Sequence, residues 1–292
     1  MHKPRVICVG VNPAFDITLS LDGLDDDRVN RVTEERRQAA GKAANVACVL
    51  ASMGVDTALT GCYGRDTYPE WQSLFEKRTG NVELLPVMCP GATRQNITLL
   101  CDGRTVKINR AGDGIEPDGS SRAAENISLW AKPGDTAVFT GSIPPGMTHK
   151  EYLSIIRDTA SKGVRVAVDT DALTEEELLS VKPWLYKPNA YELAKLCNAD
   201  PENDGQLVSQ AQRLAREGIE VVLLTLGSRG LAAVTAQQTV RLPASKVKAV
   251  NTVGAGDAAL AAFVGTYLLQ QPLAVCAEAA AKAGEKSVMN AF

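Results

Sequence analysis

Short apolar runs alternate with helical patterns along most of the chain. Residues 5–11, RVICVGV, have the continuous apolar character of a buried strand. Further along, Leu207, Ala211 and Leu214 repeat at helical spacing, and Gly218 follows where a helix C-cap belongs. Strand followed by helix, repeated, is typical of a largely parallel sheet with helices on both faces. The pattern therefore predicts an α/β fold, and ligands of such folds bind at the carboxyl ends of the strands.

Two segments break this rhythm. Residues 15–38 and 93–112 alternate polar and apolar positions, and CDGR at 101–104 is a hairpin signal. Because such strands do not suit a buried parallel sheet, they predict a small antiparallel β lid formed by about 12–38 and 90–112. A lid above a strand-end pocket excludes water from it. One open face of the lid would need a partner, which suggests a homodimer through the lid.

The composition is that of an ordinary globular protein. Apolar residues make up 45% of the 292 residues and charged residues 22%, which excludes a mainly disordered chain and suits a single domain over 1–292. A formal net charge of −3 gives no general attraction to nucleic acid or anionic membranes, so local cations must hold any anionic ligand. Neither a long apolar segment nor a signal-peptide pattern stands out, and we expect a cytoplasmic protein.

The cysteine and histidine content limits which metal centres and catalytic groups the protein can contain. Seven widely spaced cysteines without a CxxC pair predict free thiols in a reducing compartment. With two histidines in the chain, neither a histidine-rich metal centre nor a Ser-His-Asp triad is favoured. Catalysis must therefore rest on other groups.

The segment NTVGAGDAAL, residues 251–260, sets a glycine-rich helix start against a carboxylate. Unpaired amides at a helix N-terminus hold phosphate, but Asp257 would repel an anion that stayed there. The conflict disappears if the anion is in transit, because Asp257 then deprotonates an acceptor hydroxyl while the amides hold a phosphoryl group. The same letters fit a G-x-G-x-x-A dinucleotide fingerprint, but they lie far from a first βαβ unit, so phosphoryl transfer is the favoured interpretation.

A second glycine-containing helix start carries a lysine. In AAGKAANVA, residues 39–47, Gly41 and Lys42 begin the helix and Asn45 follows one turn on. The segment is not a Walker A loop, since Ala43 stands where that motif places the Ser or Thr that contacts magnesium. An ordinary helix start with a solvated lysine remains the alternative.

Further cations lie on the predicted lid. The segment GATRQNITLL puts Arg94 at the start of one lid strand, and Lys107 and Arg110 follow on the returning strand. Arginine forks bind phosphate bidentately, so cations beneath a lid could hold a phosphorylated substrate. Surface charge on an edge strand is the alternative.

Two more segments allow a functional or a local structural interpretation. Asn189 and Glu192, spaced i, i+3 after an apolar strand, could hold magnesium through water or form a capping box. The turn between two apolar runs at 221–234 contains Gly227 and Gly230, which could cradle a nucleotide or reverse the chain. The spacing alone leaves both alternatives open.

Seven motifs follow one another along the chain: NPAFD, AAGKAANVA, TRQN, FTGSIPPG, YKPNAYEL, TLGSRG and NTVGAGD. Taken in this order, they resemble the motifs of the PfkB or ribokinase-like carbohydrate kinases. The similarity spans essentially the whole chain and is greatest to the branch of 1-phosphofructokinases and tagatose-6-phosphate kinases. The resemblance implies a ribokinase-like three-layer α/β sandwich with a mostly parallel central sheet and a β lid through which many members dimerise.

The resemblance also implies roles for individual residues. Asp257 corresponds to the catalytic base, and the amides of Gly254, Ala255 and Gly256 correspond to an anion hole. The remaining positions are implied to bind ligands: Asp16, Gly41 and Asn45 the sugar hydroxyls; Lys42, Arg94 and Lys107 the phosphate already on the sugar, with Ser142 near it; Lys187, Asn189, Thr225, Gly227 and Gly230 the ATP; and Glu192 the Mg²⁺, through water.

The implied reaction is ATP-dependent phosphorylation of a phosphosugar, with fructose 1-phosphate going to fructose 1,6-bisphosphate as the first expectation. Tagatose 6-phosphate and fructose 6-phosphate are the alternative substrates. The usual GGKG of the family reads AGKA here, and we expect the methyl group of Ala43 to crowd the backbone near the sugar. This departure leaves a non-catalytic sugar-phosphate binding protein of the same fold as a further alternative.

Overall fold

A computed structural model describes residues 4–245 and 254–289. Within these residues a nine-stranded sheet runs through the body of the protein in the order β13-β12-β11-β10-β9-β8-β1-β4-β5. The strands from β11 to β5 pair in parallel, whereas β12 and β13 close one edge in antiparallel pairing. These strands are β1 (Val6–Val9), β4 (Thr57–Gly64), β5 (Val82–Cys89), β8 (Thr136–Thr140), β9 (Arg165–Asp169), β10 (Leu185–Tyr186), β11 (Val221–Thr225), β12 (Leu231–Val234) and β13 (Thr239–Leu242).

Helices cover both faces of this sheet, because successive residues of a buried strand point to opposite sides. In β1, Ile7 and Val9 belong to one apolar core and Val6 and Cys8 to the other. The first core is completed by α3 (Gly119–Trp130), α4 (His149–Ser161), α5 (Glu175–Val181), α6 (Ala190–Cys197) and α7 (Asp204–Arg216), and the second by α1 (Lys42–Ser52), α2 (Tyr68–Glu76), α8 (Ala255–Leu268) and α9 (Leu273–Met289). The predicted α/β sandwich with a mostly parallel sheet is confirmed.

Helix α8 lies deeper in the body than a surface helix. Its residues from Asp257 to Thr266 are all buried, and it packs closely against α9 and α1. Small side chains allow this burial, since four of these positions are alanine. Helix α7 ends as its sequence predicts, with Gly218 at a φ of 121° directly beyond the last turn.

The two segments with alternating polarity supply a second sheet, which we call the lid. Its strands are β2 (Ala14–Leu21), β3 (Val32–Ala40), β6 (Arg94–Cys101) and β7 (Arg104–Asn109), in the order β3-β2-β6-β7. The two outer pairings are antiparallel as expected, but β2 and β6 pair in parallel. Each of these two strands follows a parallel strand of the main sheet, β1 or β5, so both leave the body in the same direction.

The predicted hairpin, the cysteines and the lengths of the helices complete the picture of the fold. The CDGR hairpin is confirmed, with Asp102 and Gly103 both at positive φ between β6 and β7. All seven cysteines lie in the described residues and are free thiols there. Among the helices that the structure describes, none combines the length and apolar character needed to cross a membrane.

Candidate active site

The residues predicted to bind ligands converge at the carboxyl ends of the main-sheet strands, beneath the lid. A cavity of about 790 Å³ is bounded there by the lid, the start of α1, the loop after β10 and the start of α8. A neighbouring cavity of about 360 Å³ shares part of this wall. The shared residues are Gly41, Lys42, Arg94 and Glu192. Most of the expected site residues therefore line the larger cavity.

Asp257 lies in the first turn of α8 and faces the larger cavity. Gly254 begins this helix at a φ of 79°, and no side chain caps it, which leaves its first amides available to a ligand. The Asp257 side chain is buried and its Oδ2 accepts a hydrogen bond from Asn45 Nδ2 at 2.8 Å. Residues 251–253, the start of the NTVGAGD motif, lie outside the described residues.

The environment of Asp257 suits a general base near neutral pH. Burial and the negative charge of Asp169 raise its pKa from 3.8 to about 6, although the Asn45 hydrogen bond and the charges of Lys42 and Lys187 act in the other direction. A carboxylate with this pKa is ionised at pH 7 and still accepts a proton readily.

Asp169 is the central acid of the site, and the sequence patterns did not single it out. It is the last residue of β9 and is fully buried. Its Oδ1 contacts Lys42 Nζ and Lys187 Nζ, each at 3.2 Å. Burial alone would raise the pKa of Asp169, but the two ammonium groups outweigh it and the pKa is lowered. An acid at the carboxyl end of an apolar strand, in RVAVDT, was the available signal.

The two lysines bring positive charge to the start of α8. Lys187 follows β10 and is almost fully buried, and a Cβ placed on Gly256 would lie 3.4 Å from its Nζ. A glycine at this position therefore lets the ammonium group approach the first turn of the helix. For Lys42, burial lowers the pKa, but the carboxylates of Asp169, Glu192 and Asp257 raise it further, so the group is cationic.

The lid contributes a polar wall on the opposite side of the larger cavity. Asp16 Oδ1 accepts a hydrogen bond from Asn96 Nδ2 at 2.9 Å, and both side chains line the cavity. Arg94 begins β6, donates through Nε to the Asn12 carbonyl at 3.2 Å and lines both cavities. The sequence did not predict Asn96 as a site residue, because an asparagine two residues after Arg94 on a strand has no distinctive spacing.

The smaller cavity contains Ser142 and a second asparagine from the lid base. Asn12 Nδ2 donates to Ser142 Oγ at 3.2 Å, and both residues line this cavity. Lys107 lies apart from both cavities: it is exposed on β7 and pairs with Thr98, two residue pairs beyond the pair of Asn96 and Asn109. Its predicted phosphate contact therefore stays a prediction.

Ala43, which departs from the family pattern, packs against the end of β1. Its methyl group packs towards Gly10 at the end of β1, where an added Cβ would come within 2.5 Å of Ala43 Cβ. Ala43 itself is 3% exposed. Glycine at position 10 therefore provides space for the methyl group, while Ala43 also lines the smaller cavity, and its effect on the sugar stays a prediction.

Asn189 and Glu192 form the capping box and also line the larger cavity. Asn189 Oδ1 accepts from the Glu192 amide at 2.9 Å, and Glu192 Oε2 accepts from the Asn189 amide at 2.8 Å. The described residues contain no cluster of three or more His, Cys, Asp or Glu side chains able to enclose a metal. The carboxylate of Glu192 lines the cavity and suits Mg²⁺, because this ion keeps most of its water and binds mainly through substrate phosphates.

The far end of the larger cavity is less polar. Thr225, Gly227 and Gly230 form one side of it, with both glycines at positive φ. Strand β12 and helix α9 supply an apolar surface there that fits a flat base. Its apolar and small residues are Leu231, Pro243, Ala244, Ala280, Ala281, Gly284 and Val288.

Comparison with known proteins is consistent with this geometry. The chain matches the family described as "pfkB family carbohydrate kinase" over residues 5–290. It is 30% identical over 269 residues to a tagatose-6-phosphate kinase of Staphylococcus epidermidis, covering 91% of this chain and 86% of that protein. It is 31% identical over 260 residues to a 1-phosphofructokinase of Vibrio cholerae, covering 88% and 81%. Phosphofructokinase-2 of Escherichia coli, crystallised with fructose-6-phosphate, shares the fold with a TM-score of 0.89 at 23% identity, covering 98% and 94%.

Asp169→Asn is expected to destabilise the protein strongly. The substitution leaves the ammonium groups of Lys42 and Lys187 near each other without the buried charge between them, which typically costs about 3 kcal/mol or more. Thermal unfolding at pH 7 should show a fall in Tm on the order of 5 °C or more. The stabilisation by Asp169 is present above its unfolded pKa, because its folded pKa is lowered, and it is lost as the pH falls.

Asp171→Asn is the matched control, since Asp171 is exposed and lies two residues beyond Asp169, after the end of β9. Its Tm should equal that of the unsubstituted protein. Equal Tm values for the two variants would show that the ion pair contributes nothing to stability.

Proposed function

Because this chain belongs to the pfkB family of carbohydrate kinases, we propose that it transfers the γ-phosphoryl group of MgATP to a free hydroxyl of a phosphosugar. Fructose 1-phosphate is the first expected substrate, and tagatose 6-phosphate and fructose 6-phosphate are the alternatives. The observation that carries this proposal is the position of Asp257: a buried carboxylate without an ion-pair partner in the described chain faces the cavity between the lid and the start of α8.

Asp257 acts on the acceptor hydroxyl. Its carboxylate removes the proton as the hydroxyl attacks phosphorus, and a base with a pKa near 6 serves this step at neutral pH. Asn45 donates to one carboxylate oxygen, which leaves the other oxygen to accept the hydroxyl proton. Asp16 and Asn96 across the cavity bind the other hydroxyl groups and so orient the sugar.

The start of α8 holds the group in transit. The amides of Gly254, Ala255 and Gly256 at the uncapped start of α8 bind the phosphoryl oxygens on which charge develops, and the helix dipole adds to their effect. Lys187, close to Gly256, adds a full positive charge beside the same amides. When bound with the nucleotide, Mg²⁺ neutralises charge on the phosphates, and Glu192 is the residue that would hold it through water.

The phosphate already on the sugar binds at the lid side. Lys42 and Arg94 line both cavities and present positive charge to a bound anion. Lys42 already contacts Asp169, but Arg94 has no ion-pair partner among the described residues, so an unphosphorylated sugar would leave its guanidinium without an anion. This favours a phosphosugar. ATP enters from the side of Thr225, Gly227 and Gly230, with its base against the apolar surface of α9.

The lid also supports the proposal of a homodimer. Val106 and Ile108 on β7 are 41% and 48% exposed, and Val32 on β3 is 46% exposed. An edge strand with exposed β-branched residues and unpaired backbone groups suits pairing with a second copy of the chain.

A panel of sugars tests the activity. With MgATP and ADP release as the measurement, we expect turnover with fructose 1-phosphate above that with tagatose 6-phosphate or fructose 6-phosphate, and little with fructose. Binding of phosphosugars without ADP release from any of them would instead support the non-catalytic alternative.

Arg94→Met tests the phosphate contact with the same panel. It should raise the KM for the preferred phosphosugar at least about tenfold, because hydrogen bonds to charged groups contribute roughly 1.5–3 kcal/mol, and leave the KM for ATP unchanged. An unchanged KM for the sugar would remove Arg94 from this role.

Asp257→Asn should lower kcat by about 10²–10⁴, because it removes the positioned base. In the unsubstituted protein, kcat/KM should fall as the pH drops through about 6, and calorimetry should find ATP binding to the variant nearly unchanged.

The stability of this variant separates a catalytic defect from unfolding. The folded pKa of Asp257 lies above the unfolded value, so its contribution to stability is complete below pH 3.8 and is lost as the pH rises through about 6. At pH 8 the variant should therefore have a Tm equal to or above that of the unsubstituted protein. Full turnover in the variant would contradict the assignment of the base.

Ile108→Asp should dissociate the proposed dimer without unfolding the protein, since the side chain is half exposed in the single chain. Sedimentation velocity should give twice the monomer mass for the unsubstituted protein and the monomer mass for the variant. A monomer in both cases, at micromolar concentration, would refute the dimer.

A further inference from the structure

Asn45 connects Asp257 to a residue outside both cavities. Its Nδ2 donates to Asp257 Oδ2 at 2.8 Å, and its Oδ1 accepts from Arg78 Nη2 at 2.9 Å. In the part of the chain that the structure describes, Asn45 is the one hydrogen-bond donor to the Asp257 carboxylate. Arg78 is absent from the lining of both cavities and from the motifs of the sequence.

The chemistry of the three side chains permits one orientation of the amide. A guanidinium group offers only donors, and an ionised carboxylate offers only acceptors. If the Asn45 amide were rotated by half a turn, its NH₂ group would face Arg78 and its oxygen would face the carboxylate of Asp257. Both contacts would then be repulsive, so Arg78 selects the orientation in which Asn45 donates to Asp257.

Arg78 is itself held in place by the body of the protein. Its amide donates to the Phe75 carbonyl in the last turn of α2 at 2.9 Å, and the Phe75 ring stacks on Trp71 at 5.0 Å. The second arm of its guanidinium, Nη1, donates to the Ala39 carbonyl at the end of β3. The backbone of Arg78 is therefore fixed to the last turn of α2, and its rigid guanidinium fork joins the end of β3 to Asn45.

We propose that Arg78 is a positioning residue for phosphoryl transfer, which fixes the side-chain amide of Asn45 so that Asn45 holds the ionised Asp257 carboxylate towards the acceptor hydroxyl. The inference rests on the proposed function, in which Asp257 is the base. Without Arg78, the Asn45 amide can turn its oxygen to a protonated Asp257, which stabilises the form that is inactive as a base.

The other charged groups that face Asp257 stay unchanged when Arg78 is replaced. They are Asp169 at the end of β9, Lys42 at the start of α1 and Lys187 after β10. Since Asn45 is the link that lowers the pKa of Asp257 from this side, its release should move the titration of Asp257 to higher pH.

Arg78→Met tests the proposal with a side chain of similar length and no donors. We expect kcat to fall on the order of 10- to 100-fold, as for a misplaced catalytic group, and the KM for ATP to stay unchanged. The acid limb of the pH–rate profile, near pH 6 in the unsubstituted protein, should move to higher pH. Arg78→Lys keeps a charge and a donor, and it should recover part of the lost kcat.

Arg37→Met is the matched control. Arg37 also connects the lid to α2, since it lies on β3 and its Nε contacts Glu70 Oε1 at 2.9 Å, but it has no contact with Asn45. This variant should keep the kcat and the acid limb of the unsubstituted protein even if its Tm falls. Equal losses and equal pH shifts in the Arg37 and Arg78 variants would overturn the inference, as would an Arg78→Met protein with unchanged kcat and pH profile.

A measurement independent of turnover separates this inference from the proposed function. In protein labelled with ¹³C at the aspartate carboxyl groups, the Asp257 signal can be assigned by its loss in Asp257→Asn. Arg78→Met should raise the pKa of that signal, or Arg78→Lys should raise it to a smaller extent if the methionine variant does not fold. If no sugar is phosphorylated and the pKa still rises, the proposed function fails while the coupling of Arg78 to Asp257 holds. An unchanged pKa would overturn the coupling itself.

Discussion

The site depends on one buried carboxylate that contacts two lysines. Asp169 ends β9, Lys42 begins α1 and Lys187 follows β10, so this contact joins three separate parts of the chain at the carboxyl edge of the sheet. Isolated ammonium groups could not be buried beside the start of α8, because the desolvation cost would shift them to the neutral form. Asp169 offsets this cost and keeps both charges available to an anionic ligand. Burial and the same negative charge raise the pKa of Asp257, so Asp169 also acts on the proposed base.

Much of the fold could be predicted because its signals are local. Apolar runs, helical spacing and glycine caps gave the alternation of strands and helices, as RVICVGV and the segment ending at Gly218 illustrate. Polar and apolar alternation gave the lid strands, but not their partners. The parallel pairing of β2 with β6 depends on where each strand leaves the main sheet, and no pattern within either segment contains that information.

The site residues fall into the same two groups: some have local sequence signals, and others are defined by contacts across the fold. Gly254, Asp257 and Asn189 lie at helix starts with recognisable spacing, and the structure brings them to one cavity. Asp169 and Arg78 were missed because their roles are defined by contacts across the fold: Asp169 with Lys42 over 127 positions, and Arg78 with Asn45 over 33. Ala43 shows the converse. Its departure from the family pattern was visible, but the space that accommodates its methyl group comes from Gly10, on another element.

The burial of α8 has a consequence for how the enzyme changes shape. A helix buried from Asp257 to Thr266 is held on all sides by its neighbours, so the proposed base and the amides beside it are preorganised before any ligand binds. In the reaction that we propose, a change of shape on ligand binding would therefore lie in the lid, which carries Asp16 and Arg94 in the cavity wall. Closure of the lid would bring the acceptor sugar to the fixed start of α8, and selectivity among sugars would then arise mainly from the lid.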